Sequence, residues 1–150
     1  GGNSTGSNPA PALTKLKLSR ATFRKGGSTP IGFRLSEAAK VVFSFERKLA
    51  GRRVRGRCGK PAKGARPNCT RYALLKSTLS MRGKAGANSL VFRGRLSRTR
   101  SLPVGRYRLK LVATDATGKK SRAARVSFKL LDSAPVAQAR AVRAVVLGWL

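Results

Sequence analysis

Two segments in the last third of the chain alternate apolar and polar residues with a period of two. In LPVGRYRLKLVATD, Tyr107, Leu109, Leu111 and Ala113 alternate with Arg106, Arg108, Lys110 and Val112. In the second segment Ala124, Val126, Phe128 and Leu130 alternate with Arg125, Ser127 and Lys129. A period of two places each set on one face of an extended chain, so the pair predicts two half-buried strands. Asp115, Ala116, Thr117, Gly118 and Lys119 between them read as a hairpin loop, with Gly118 free to take positive φ. Similar runs lie upstream. Ile31, Phe33 and Leu35 alternate with Gly32 and Arg34 after Thr29-Pro30, and Val41, Phe43 and Phe45 alternate with Val42, Ser44 and Glu46. Leu13, Leu16 and Leu18 alternate with lysines, although Thr14-Lys15 interrupts the strict period. Tyr72, Leu74 and Leu75 suggest a short strand before the turn-rich MRGKAGANS, and Leu90, Phe92 and Leu96 mark another. Some seven short strands, with turn signals between them and no helical period, predict an all-β antiparallel sandwich.

The boundaries follow from composition. Residues 1–11 are Gly, Ser, Asn and Pro with few others and read as a flexible linker. Residues 12–132 carry the strands, interrupted at 49–71 by a Gly-, Pro- and Arg-rich loop with two cysteines. Residues 133–150 read as a tail, disordered or a short helix after Pro135, whose apolar end is too short to cross a bilayer. The chain opens without Met or an apolar leader, so a mature form or a piece of a longer protein with neighbouring domains is expected.

Charge restricts function more than any motif. Thirty-four basic residues face four acids, Glu37, Glu46, Asp115 and Asp132, for a formal net charge of +30. Such a chain attracts polyanions at low salt: nucleic acid, anionic cell-wall polymer or acidic glycan. The competing reading is a composition that supplies Arg wherever a solvated residue suffices. The densest run comprises Arg52, Arg53, Arg55, Arg57, Lys60, Lys63, Arg66 and Arg71, with no acid among them, and is the candidate polyanion contact. Few aromatics accompany it, so base-specific stacking is not expected.

Cys58 and Cys69 lie inside that run. Free thiols in a reducing compartment are one reading. The favoured one is a disulfide, which compacts the basic loop and places the protein in an oxidising compartment, secreted or at the cell surface. No His is present, so the usual general base is missing and a metal site lacks ligands. Glu37 and Glu46 as a glycosidase pair are outweighed by their reading as solvated surface acids. No Gly-rich phosphate loop occurs, and neither enzymatic activity, a metal nor a cofactor is expected.

The stretch 102–121, LPVGRYRLKLVATDATGKKS, resembles the penultimate strand and final hairpin of fibronectin type III and related bacterial Ig-like domains of secreted or surface proteins. The resemblance implies an immunoglobulin-like, fibronectin type III-like sandwich. It makes Leu102, Pro103, Gly105 and Tyr107 a structural corner, with the Tyr107 hydroxyl bonded to backbone a few residues upstream. KVVFSFERK has no Trp and the early strands carry no cysteine, which matches the fibronectin-like branch better than antibody domains. The function implied is a non-catalytic spacer or adhesion module. The alternative is a polyanion-binding protein acting through the basic loop.

Overall fold

The computed structural model describes residues 9–133, and among them every regular element is a strand. The strands are β1 (Leu13–Leu18), β2 (Thr22–Arg24), β3 (Thr29–Leu35), β4 (Ala39–Val54) and β5 (Arg57–Gly59). They continue with β6 (Cys69–Leu74), β7 (Leu79–Gly83), β8 (Gly86–Phe92), β9 (Gly105–Thr114) and β10 (Ala124–Leu131). The expected tail beyond Ser133 and the first eight residues of the expected linker lie outside the described residues.

Two sheets share one core. The smaller has the order β1-β3-β8, and the larger runs β2-β10-β9-β4, with β7, β6 and β5 pairing in turn along the far edge of β4. Phe33 of the small sheet meets Phe43 of the large one at 6.0 Å between centroids, and Phe92 stacks on Phe45 at 5.1 Å. Ile31, Phe33, Leu35, Val41, Phe43, Phe45, Leu109, Leu111, Ala113, Phe128 and Leu130 are all buried, so the alternating residues fill the interior as the period of two requires. Each large side chain removed from water there contributes about 1.5–3 kcal/mol.

The all-β expectation is met, with differences in detail. Among the described residues there are ten strands rather than about seven, and one pairing, β10 with β2, is parallel. Three-residue strands such as β2 and β5 are too short to carry a readable period. The turn-rich reading of MRGKAGANS yields to strands β7 and β8 on either side of a tight turn at Lys84-Ala85. The interruption at Thr14-Lys15 is a β-bulge: the register against β3 shifts between Thr14 and Lys17, and Lys15 takes a φ of 55°. The extra residue keeps Leu13, Leu16 and Leu18 on one face despite the odd spacing between the first two.

The largest departure concerns 49–71, expected as a loop. Strand β4 continues through its first six residues to Val54, pairing with β6 from Glu46 to Gly51 and with β5 from Arg52 to Val54. At 16 residues β4 spans about 50 Å. Its last buried residue is Gly51, so its C-terminal portion and its partners form a β-arm outside the core.

Candidate polyanion interface

The arm's tip is a two-residue turn in which Arg55 and Gly56 both have positive φ, 53° and 79°. That geometry matches the twist of a hairpin, and Gly56 adopts it at no steric cost. Cys58 and Cys69 are disulfide-bonded, with Cα atoms 6.1 Å apart, joining β5 to the start of β6. The bond lies over Gly51, where an added Cβ would stand 2.4 Å from the Cys58 sulfur and 3.3 Å from that of Cys69. Only glycine leaves room there, so backbone and disulfide form one unit at the root of the tip.

The predicted basic residues are distributed along this arm. Arg52 and Arg53 lie in β4, Arg55 in the turn, Arg57 in β5, Lys60, Lys63 and Arg66 in the connection, and Arg71 in β6. Three guanidiniums are anchored to backbone oxygens. Arg52 donates to the Arg66 carbonyl at 2.8 Å, Arg53 to that of Gly56 at 3.2 Å, and Arg71 to that of Ala50 at 3.3 Å. Asn68 closes the ladder, its Oδ1 accepting from the Arg53 amide at 2.7 Å. These anchors fix the positions of positive charges without neutralising them. Among the described residues no acid forms an ion pair with any of them, and none occurs in the sequence between Glu46 and Asp115.

The outward face of the large sheet continues the basic surface to the arm's base. At its centre is Glu46, whose two oxygens accept from Arg108 at 3.1 Å each, while Arg125 stands 3.7 Å away. The Arg108 guanidinium also lies 3.7 Å from the centre of the Tyr72 ring on β6. Arg108 is thus held between carboxylate and aromatic face, an arrangement suited to its planar fork. Bonding to Arg108 holds the Glu46 carboxyl below its ordinary range, with Arg125 and Lys110 adding to the effect, and raises Arg108 in return. Sequence reasoning missed this group. Glu46 and Arg108 are far apart in the chain, and only the β4–β9 register places them opposite one another.

A second missed residue is Arg47. It follows Phe45 on the inward-facing parity of β4, where the core ends and the arm begins. Its Nη2 donates to the Val104 carbonyl at 3.1 Å, and its guanidinium lies 6.0 Å from the Tyr107 ring. Gly105 leaves it space, since a Cβ there would stand 3.3 Å from the guanidinium nitrogens. In the same corner the Tyr107 hydroxyl donates to the Pro103 carbonyl, and buried Leu102 donates its amide to the Gly94 carbonyl at 2.8 Å. Burial raises the Tyr107 phenol, with the Arg47 charge opposing that shift.

The acids do not converge as a Glu37–Glu46 pair. A hydrogen bond with Asp115 holds the Glu37 carboxyl above its ordinary range, with desolvation adding to it, and its Oε1 is enclosed without a hydrogen-bond partner. Asp115 is held low, first by the Thr117 hydroxyl, and its Oδ1 also accepts from the amides of Thr117 and Lys119. This is the turn role expected of it, with Gly118 at a φ of 87°. Among the described residues no group of three or more His, Cys, Asp or Glu side chains is placed to hold a metal ion.

No family model and no curated protein matches the chain. Solved structures align with the chain only at low similarity. Spo0M, a sporulation control protein from Bacillus subtilis, aligns at 8% identity and a TM-score of 0.46, over 83% of this chain and 50% of its own. The alkylpurine DNA glycosylase AlkC from Pseudomonas fluorescens aligns at 16% identity and a TM-score of 0.37, over 81% and 30%. A beta-glucosidase from Listeria innocua aligns at 13% identity and a TM-score of 0.31, over 81% and 16%. The chain therefore spans half or less of the length of these proteins.

Proposed function

We propose that residues 12–132 are a non-catalytic module of a larger secreted or surface protein, an Ig-like, fibronectin type III-like sandwich that adheres to an anionic polymer through its basic arm. The observation that carries the reading is the arm itself. Eight basic residues are held on a disulfide-closed β-ribbon outside the core, three of them anchored to backbone and none paired to an acid among the described residues. A charge supplied only for solubility needs neither a ribbon nor a disulfide to hold it. Compact positive charge raises local potential, and the polymer's counterions are released when it binds. The scarcity of aromatics on the arm favours recognition of polymer charge over base identity.

Fluorescence anisotropy with a labelled polyphosphate and a labelled heparin fraction, titrated over sodium chloride concentration, tests this. Neutralising Arg52, Arg53, Arg55 and Arg57 to Gln is expected to weaken binding by at least about tenfold at physiological salt and to reduce the salt slope by roughly three or four. Unchanged affinity in that variant overturns the arm as the contact, and the spacer role then stands alone.

A further inference from the structure

The outward face of the large sheet is divided by its neutralisation. Arg125 and Lys110 are direct cross-strand neighbours of like charge, and Glu46 offsets their repulsion. Lys129 and Arg106 form the same kind of pair four residues along, and among the described residues no acid forms an ion pair with either. Like charges directly opposite across a ladder are destabilising unless something compensates. Lys48, from the adjoining strand β4, joins these two in lining a groove completed by Ala21, Ser127, Tyr107 and Phe128. The side chains of all three cations are without an ion pair or hydrogen bond to the described residues. Three strands thus bring three unneutralised cations and one hydroxyl to a single concavity, at the base of the arm.

We infer that this groove is a subsite for one tetrahedral oxyanion, a phosphate or sulfate ester of the polymer. Lys48, Arg106 and Lys129 supply the charge, and the Ser127 hydroxyl a neutral donor. Arg106 contributes the planar fork suited to such a group, and the two lysines act as point charges. The inference deepens the polyanion reading: the arm supplies diffuse attraction, and the groove fixes a single anionic group where the arm joins the sheet.

Amide-resolved NMR titration of the whole chain with inorganic pyrophosphate, and separately with a sulfated heparin disaccharide, tests this at constant ionic strength. Saturable shifts are expected at Lys48, Arg106 and Lys129, and whichever probe saturates at lower concentration identifies phosphate or sulfate as the source. The R106T/K129T variant, which keeps residues suited to strands, is expected to weaken saturation at least tenfold. R106K/K129R should retain it, and neutralising the arm should leave it in place. Shifts that never saturate, or that persist unchanged in a folded R106T/K129T, overturn the subsite. Groove binding of pyrophosphate without binding of any long polymer would sink the arm reading and leave the subsite standing.

Discussion

Tyr107 and Arg47 close the end of the core from which the arm departs. The phenol ring is buried against Phe128, while its hydroxyl satisfies the Pro103 carbonyl in the bend before β9. Removing only the hydroxyl in Tyr107→Phe leaves that carbonyl without its partner. Chemical denaturation is expected to show a loss of about 1–2 kcal/mol with no change in m-value. Two glutamates give pH dependences of opposite sign. Glu46 is held below its ordinary value of 4.5, so its stabilisation is complete above that value and is lost as pH falls through the lower folded value. Glu46→Gln is expected to remove that acid limb, to cost about 1–2 kcal/mol at neutral pH, and to tighten polyanion binding by releasing Arg108 and Arg125. Glu37 is held above its ordinary value, so its contribution favours folding at low pH and is lost as pH rises through the raised value. Glu37→Gln is therefore expected to raise the Tm at pH 7, the reverse of the effect at Glu46, as thermal melts across pH would show.

At the scale of elements, the core strands were legible because each buries one face against the other sheet, and burial writes a period of two into the residues. Val41, Phe43 and Phe45, and Tyr107 through Ala113, carry that record plainly. The arm was not legible for the same reason: past Gly51 neither face of β4 is buried, so no period survives in Arg52, Arg53 and Val54. Its strands are specified instead by the ladder, the Arg55-Gly56 turn and the disulfide. Because the arm buries little of its own, reduction is expected to act on it locally. Closing the ring between Cys58 and Cys69 contributes about 3 kcal/mol by chain entropy. Hydrogen exchange after reduction should thus show arm amides exchanging up to about a hundredfold faster, with β3 and β9 unchanged. Equal acceleration in β9 would show that arm and core unfold together.

Across the whole molecule, the charge of +30 was evident from composition, but its arrangement was not. Eight of the basic residues form a run that could be read directly. The sheet face was legible in part: Arg106, Arg108, Lys110, Arg125 and Lys129 fall on the outward parity of two hairpin-joined strands, whereas the placing of Glu46 and Lys48 beside them depends on the order β10-β9-β4. Basic residues also lie on the small sheet, where Arg34 and Lys17 face outward, so total charge alone cannot distinguish a directed contact from a diffuse one. The spatial footprint of a bound polymer can. Hydrogen-exchange or NMR footprinting of the intact, oxidised protein with a heparin fraction at physiological salt measures it directly. Protection concentrated on residues 52–71 and on the adjoining β4–β9–β10 face is the predicted result. Protection spread evenly over both sheets, or centred on Lys17 and Arg34, would contradict it.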